Sequence, residues 1–585
     1  MTTSIVPAQT SSGPEMLRNA APVKKKKSTK VDIPTLIVVT IVVALLGVLI
    51  IYPLARIFSL SVSARGWEVM SGVITNKVNR GILRNTLVLG TVVGIGGTLL
   101  GFLLAYTQVR VAFKGKKLLH LLCMLPVVSP PFAVATAIIT LIGRRGMISY
   151  GIFGVQINIY GLWGLSLALI LSFFPVAYMN FRGMLEALDP ALDEASANLG
   201  GTKWQTFWRV TVPMLIPGFA AAFLLLFVEA IADLANPLVL GGDFTVLASR
   251  AYIAITGEYD VAAGSAYSVV LLVPAIMVFV VQRYWVAKKS VVSVTGKPAG
   301  QPRLITSAAG RIPLVAFSVF IGLVILTIYA AVIGGAFVKI LGVNNTFTLN
   351  NFKYVLSGIG NQSIRDTTSL ALVATPIAGF MGVLIAWLVV RKLKNGAWLD
   401  FMGMLGLAVP GTVVGIGYAI AFNQPVIAGG RMWFPALAGG GAIVGGAIAI
   451  VMVYVIRSIP TGQRGAIAAL SQIDKSIDEA ASSLGASSVT VFRTVTLPLI
   501  RPALLSGLIY AFARSMTTLS PIIFITTPRT QIMTKMILAE VDAGRFGNAF
   551  AFCTLLLLIV TSVMGLLTLL VGRNKGARQP VGAGL

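Results

Sequence analysis

Twelve blocks of about 20 mostly apolar residues follow one another along the chain, each long enough to cross the hydrocarbon core of a bilayer as a helix. They lie at 34–55, 85–108, 118–142, 159–181, 214–241, 265–286, 312–335, 367–390, 399–423, 436–457, 499–525 and 547–572. Pro126, Pro130 and Pro131 interrupt the third block, and Pro410 with Gly411 interrupts the ninth. Irregular backbone inside a membrane is tolerated where protein or a water-filled cavity covers it. The first block follows Lys24, Lys25, Lys26, Lys27 and Lys30, which also fits a signal peptide cleaved near Ala64. Its length and its internal counterpart at 312–335 favour a retained helix. Residues 1–32 read as a disordered basic tail and 574–585 as a C-terminal tail.

Composition agrees. Of 585 residues, 56% are apolar and only 11% charged, with a mean hydropathy of +0.88. A soluble domain carries roughly 25% charged residues. Disorder, collagen and a disulfide scaffold are excluded. The net charge of +27 does not indicate a nucleic-acid binder. With both termini cytoplasmic, most Lys and Arg fall in cytoplasmic segments, as the positive-inside rule demands. The clusters Arg110/Lys114/Lys116/Lys117, Arg283/Lys288/Lys289 and Arg391/Lys392/Lys394 read as topology signals beside anionic lipid. His120, the only histidine, reads as interfacial, and Cys123 and Cys553 as small hydrophobes, so no metal site is built from His and Cys.

The chain repeats itself. Leu188-Asp189-Pro190-Ala191-Leu192-Asp193-Glu194-Ala195-Ser196-Ala197-Asn198-Leu199-Gly200 recurs as Ile473-Asp474-Lys475-Ser476-Ile477-Asp478-Glu479-Ala480-Ala481-Ser482-Ser483-Leu484-Gly485. The shift that takes Asp189 to Asp474 also carries each of the first six blocks onto one of the last six. The fold class is therefore all-α polytopic: about 12 spans as two fused six-helix repeats, related by a pseudo-two-fold axis along the membrane normal. An inverted repeat needs an odd number of spans per half and is disfavoured. The predicted domains are a first half 33–290 with its repeated loop at 186–213, a cytoplasmic linker 291–311, and a second half 312–573 with its loop at 471–498.

Each repeated loop predicts two short helices joined at glycine. Asp189 or Asp474 caps the first helix, and Pro190 suits its first turn. Gly200 or Gly485 takes the left-handed position that ends it. Thr202 and Gln205 predict a capping box, which Ser487 and Thr490 reproduce only in part. Leu188, Leu192, Ala195 and Leu199 form one apolar stripe. Two copies of such a knob imply a partner with two matching sockets.

Both loops resemble the EAA motif of ABC importer permeases: Glu-Ala-Ala, three residues, Gly, nine residues, aliphatic, any residue, aliphatic, Pro. The copies are Glu194-Ala195-Ser196, Gly200, Val210, Val212, Pro213 and Glu479-Ala480-Ala481, Gly485, Val495, Leu497, Pro498, with Ser196 the one departure in the triplet. The resemblance to type I permeases covers about residues 33–573. It implies that the EAA helices dock on a separate ATPase, with ATPase coupling carried by Glu194, Ala195, Gly200, Glu479, Ala480 and Gly485. It also implies two ATPase copies that bring ATP and Mg, a periplasmic binding protein, and a bacterial inner membrane. No cofactor is expected on this chain, and no Gly-x4-Gly-Lys-Ser/Thr element occurs in it. Gly94-Ile95-Gly96-Gly97 reads as close helix packing.

Charges inside spans are candidate functional residues. Glu229 and Asp233 fall in the fifth block and Arg514 in the eleventh, and the repeat shift carries position 229 onto position 514. Asn236-Pro237 and Ser520-Pro521 break the same two blocks. Glu229, Asp233, Asn236, Pro237, Arg514, Ser520 and Pro521 are therefore the candidate permeation path or gate. Glu229 and Arg514 either contact substrate or lock the halves together. Glu258 and Asp260 read as solvated loop residues, and no acid–base or nucleophile pair points to an enzyme. The fused form and the stretch Ala235-Asn236-Pro237-Leu238 with Leu240-Gly241-Gly242 resemble ferric-iron permeases. Permeases for 2-aminoethylphosphonate, phosphorylated sugar, thiamine and polyamine are alternatives within the class, and a 12-helix secondary carrier is the rival class.

Overall fold

A computed structural model describes residues 33–286 and 304–572. The basic tail 1–32, Lys288, Lys289, most of the linker and the tail 574–585 lie outside the described residues. Ten helices are long and apolar enough to cross a membrane: Ile33–Ser61, Lys77–Arg110, Leu162–Ala187, Lys203–Ala232, Val261–Trp285, Ala308–Ala336, Gly358–Lys392, Ile443–Ser471, Phe492–Thr517 and Phe546–Leu569. The third and ninth spans are bent pairs, Lys116–Val127 with Pro131–Ile142 (104°) and Ala397–Ala408 with Gly411–Phe422 (96°). Pro130 and Pro410 sit at the bends in extended conformation, which a residue without an N–H favours.

Both bent pairs cross the bundle. Just before the first pair, Ala112 donates to the carbonyl of Ile305, at the start of the seventh span. Just after it, Met147 packs against Gly342, beyond the other end of the seventh span. In the first turn of the second pair, Asp400 is ion-paired to Arg283 near the end of the sixth span (2.6 Å). It ends at Phe422, whose carbonyl accepts from Leu437 and Ala438 on the way to the tenth span. Each half thus has six crossings, the halves are parallel, and both EAA loops emerge at one end of the bundle, the knob end.

The repeat extends into the packing. A Cβ on Gly94 in the second span would lie 2.8 Å from Phe223 in the fifth. A Cβ on Gly379 in the eighth would lie 2.4 Å from Leu508 in the eleventh. These are the same contact, made once in each half. Lipid offers helices no hydrophobic drive to associate, so close backbone approach of this kind supplies the cohesion.

The first span of each half crosses over to the other half. Ile33–Ser61 packs against the sixth span and against the ninth, where Tyr418 donates to the carbonyl of Leu49 (2.8 Å). Ala308–Ala336 packs against the twelfth span and against the third, where Ser129 bonds Tyr329 (2.5 Å). Both large apolar cores consequently mix residues of the two halves.

Several sequence expectations are corrected. The fifth span ends at Ala232 and the eleventh at Thr517, so the residues beyond them, to 241 and 525, are not part of a crossing helix. The tenth span lies at Ile443–Ser471 rather than 436–457. The second short helix of each EAA loop is not separate. Lys203–Thr206 runs through a π-helical turn at Phe207–Thr211 into the fifth span, and Phe492–Thr496 does the same before the eleventh. Pro213 and Pro498 follow these wide turns near a helix start, where a missing N–H costs little. Glu258 is exposed as expected but is held by Arg250 through two bonds (2.7 and 3.0 Å), and Asp260 is half-buried and held by Arg65 (2.9 Å).

Candidate functional site

At the knob end, Asp189 accepts from the N–H of Ala191 (3.0 Å) and caps the helix Pro190–Asn198. Glu194 and Ala195 are exposed on it. Gly200 adopts φ +78°, with open space where a Cβ would stand. Thr202 and Gln205 form the full reciprocal capping box (2.9 and 3.2 Å). In the second knob, Asp474 accepts from Ser476 N–H (2.9 Å), and this hydrogen bond holds its carboxyl below the usual range. Gly485 adopts φ +84°. Ser487 accepts from Thr490 N–H (3.2 Å), the partial box expected. Ala480 is exposed, and the side chain of Glu479 lies outside the described residues.

Leu188, at the start of the apolar stripe, packs against the core, and the stripe beyond it is not packed on the bundle. Leu199 is 89% exposed and Leu484, its counterpart in the second knob, is 90% exposed. Leu192 and Ala195 are exposed as well. Two matching apolar tips thus face outward beside left-handed glycines.

Arginine seats each knob. Arg110 pairs with Asp193, the two side chains only 7% and 12% exposed. Arg391 donates to the carbonyls of Leu470 (3.2 Å) and Ile473 (2.8 Å), ahead of the second knob. Arg283 binds Asp400, which also accepts from Gln463 (2.7 Å). These arginines, expected only as topology signals, hold the fold. Their separation from their partners in sequence hid that role.

Deep in the bundle, Glu229 and Arg514 meet across the two halves at 3.3 Å. Arg514 also donates to the hydroxyl of Tyr510 (3.2 Å). Asp233 lies past the helix end, and no bond joins it to Arg514 among the described residues. It accepts instead from Asn236 N–H (2.9 Å) and Nδ2 (2.8 Å), in the first turn of the short helix Ala235–Leu240 that contains Pro237. Leu234 N–H donates to Ser520 of the other half (3.3 Å). Pro521 packs on the bent ninth span, where a Cβ on Gly415 would come within 2.3 Å of its carbonyl. The seven candidate residues therefore lie around the place where the halves meet.

One charged residue at this place was missed. Arg457, on the tenth span, donates to the carbonyls of Gly406 (3.3 Å) and Val409 (3.0 Å) at the ninth-span bend. It lies within electrostatic range of Arg514, Glu229 and Tyr510, with no hydrogen bond or ion pair to them among the described residues. Its counterpart Ser172 donates to the carbonyl of Pro131 (3.1 Å) at the third-span bend. Arg457 is the last residue of the tenth block, 436–457, and the repeat could have moved it inward: the fourth block, 159–181, carried into the second half covers 444–466. Among the described residues, no group of three or more His, Cys, Asp or Glu is placed to hold a metal ion.

The family described as "Binding-protein-dependent transport system inner membrane component" matches the chain twice, at residues 97–291 and 378–576. The chain is 33% identical over 558 residues to the "Ferric transport system permease protein FbpB" of Actinobacillus pleuropneumoniae, covering 91% of this chain and 78% of the relative. It is 35% identical over 463 residues to the "Putative ferric transport system permease protein FbpB 1" of Haemophilus influenzae, covering 77% and 71%. Over 261 residues, 44% of this chain and 92% of the relative, it is 28% identical to the "Putative 2-aminoethylphosphonate transport system permease protein PhnV" of Salmonella typhimurium.

Proposed function

The chain belongs to the inner membrane components of binding-protein-dependent transport systems, the permeases of ABC importers, and from that premise we propose that it carries ferric iron inward by ATP-driven alternating access. A periplasmic binding protein delivers the cargo. Two copies of a cytoplasmic ATPase bring ATP and Mg and engage the two knobs. The permease itself hydrolyses nothing. When the ATPases close, the knobs move with them and the halves rock about the Glu229–Arg514 contact.

The observation that carries the coupling role is the pair of knobs on one end, each presenting an unpacked leucine beside a left-handed glycine. Their left-handed glycines fix the angle at which each presents itself. The iron assignment is supported by the two relatives named as ferric permeases, matched over most of their length. Glu229, Asp233, Asn236, Pro237, Arg514, Ser520 and Pro521 form the gate in this reading. Arginine at its centre favours one second reading, import of 2-aminoethylphosphonate, an anion.

The test is uptake by proteoliposomes that hold the chain, its ATPase and its binding protein, with ATP supplied to the ATPases. Ferric iron and 2-aminoethylphosphonate are offered in parallel. Iron should enter, and Glu194→Arg with Glu479→Arg should abolish its entry. Phosphonate entry alone replaces the substrate and keeps the class. Uptake that needs no ATP and ignores both substitutions overturns the reading.

A further inference from the structure

The end of the linker is built into the seat of the first knob. Ile305 pairs with Val111 in a parallel β-bridge. Its N–H donates to the carbonyl of Arg110 (2.7 Å), and its own carbonyl accepts from Ala112 N–H (3.2 Å). Arg110 is the last residue of the second span, and the last carbonyls of a helix find no donor within it. Ile305 supplies one. The side chain of the same Arg110 pairs with Asp193 on the knob helix Pro190–Asn198. One residue is thus held through its backbone by the linker and through its guanidinium by the first knob. The linker then enters the seventh span, Ala308–Ala336, after only Thr306 and the cap residue Ser307. In that span, a Cβ on Gly322 would stand 3.3 Å from Leu122 of the third span. Near its far end, a Cβ on Gly335 would lie 2.5 Å from Phe550 of the twelfth span. The seventh span therefore joins the seat of the first knob to the second half.

We propose that Ile305 is a positioning residue for transport: through Arg110 it ties the first knob to the seventh span, and that span carries the knob's displacement into the second half. This rests on the reading that an ATPase moves the knobs. Every link is a direct contact. Asp193 holds Arg110 by an ion pair, and Arg110 holds Ile305 by a backbone hydrogen bond. Ile305 leads by chain into the span, and Gly335 meets Phe550 by close packing. Protein interiors are dense and hard to compress, so a packed helix passes on a displacement instead of absorbing it. The transmission depends on the connection between Ile305 and the helix being short, and two residues make it so. Slack at that point should uncouple the two ends while leaving the bridge to Arg110 intact. Slack ahead of Ile305 should do nothing, because the force does not run through the rest of the linker.

The experiment uses the reconstituted complex with its ATPase and binding protein, and reads cargo moved per ATP hydrolysed. Radiolabelled ferric iron and 2-aminoethylphosphonate are offered in parallel, and the ratio is taken with whichever enters. If neither enters, the rise in ATP hydrolysis on adding the binding protein is read in its place. Ile305→Pro removes the N–H that Arg110 accepts and should cut the ratio roughly threefold or more, with the ATPase still bound. Ile305→Val keeps the N–H and should hold the wild-type ratio. Three glycines inserted between Thr306 and Ser307 should cut the ratio as much as Ile305→Pro does. The same insertion between positions 297 and 298 should leave it unchanged. If Ile305→Pro does not fold, the two insertions decide alone. An unchanged ratio with slack after Ile305, or an equal loss with slack ahead of it, overturns the proposal. So does uptake that falls only as far as ATP hydrolysis falls, which is what a merely structural bridge would give. Wild-type uptake that needs no ATP, or a wild type with neither uptake nor stimulated hydrolysis, removes the reading of an ATPase-moved knob and the transmission with it.

Discussion

At the residue scale, ion pairs do different work at three depths. At the knob end, Arg110 and Asp193 are nearly buried, so removing one leaves the other without its partner. Arg110→Ala should destabilise the first knob by about 2 kcal/mol. The double variant Arg110→Ala/Asp193→Ala should recover part of that loss, as a double-mutant cycle on thermal unfolding would measure. In the middle, Glu229→Arg with Arg514→Glu should restore the thermal stability lost in each single variant. Uptake should not return if both residues border the path, because the swap reverses the charge each presents to the cargo, whereas a purely structural pair would recover it. At the opposite end, carboxylates clasp the loops. Hydrogen bonds from Arg250 hold Glu258 below its usual pKa. Burial works against the charged form of Asp260 and Glu540, and bonds from Ala263 and Arg65, and from Arg545, Asn548 and Tyr354, outweigh it. A carboxyl lowered in the folded state stabilises above its unfolded pKa of about 4 and ceases to do so as pH falls through the folded value. Thermal stability should therefore drop below about pH 4. Glu540→Gln should be less stable at neutral pH and show a flatter acid limb. Sequence marked Glu229 and Arg514 because charge in an apolar block stands out. Arg110, Arg283 and Arg391 were not legible as structural, since a basic residue beside a span looks the same whether its partner is lipid or a distant carboxylate.

At the scale of elements, the knob is the piece that sequence described best. Its caps and its glycine are local features, fixed within a few residues, and Asp189, Thr202, Gln205 and Gly200 all take their expected places. What the stripe of Leu188, Leu192, Ala195 and Leu199 packs against is not local, and spacing alone could not say that its tip faces outward. That exposure sets a prediction. Leu199→Asp and Leu484→Asp remove no packed contact, so each should change stability by less than about 0.5 kcal/mol. Together they should abolish co-purification with the ATPase; retention of the ATPase would place its dock elsewhere. Gly200→Ala meets open space but must hold φ near +78°, which costs about 1–2 kcal/mol for a residue with a side chain. Span ends were less legible. The apolar blocks continue past Ala232 and Thr517 because the re-folded segments beyond, such as Ala235–Leu240, are themselves buried and apolar. Hydropathy reports burial, and here burial outlasts the helix.

At the scale of the whole molecule, the repeat predicts the count and the parallel halves, and it carries the Gly94–Phe223 contact of the structure onto Gly379–Leu508. It does not predict that the halves exchange their first spans, because the repeat maps each half onto the other and is silent on which neighbour a span chooses. The exchange has a physical consequence. Without the second half, Ile33–Ser61 loses the ninth span and the hydrogen bond from Tyr418. Without the first, Ala308–Ala336 loses the third span and the bond between Ser129 and Tyr329. Each half alone also bares one side of the Glu229–Arg514 contact, leaving a charge in a span with no partner, a costly arrangement in lipid. A chain split within 291–303 should therefore behave as an obligate pair. Expressed together, the fragments 1–296 and 297–585 should co-purify and support uptake with the ATPase and binding protein. Expressed alone, each should be degraded or aggregate. Removing Ile33–Ser61 from the first fragment should weaken its hold on the second, since that helix is a main contact from one half to the other. Stable, monodisperse single halves would show that the exchanged spans contribute little, and that the two six-helix units are independent bodies joined only by their linker.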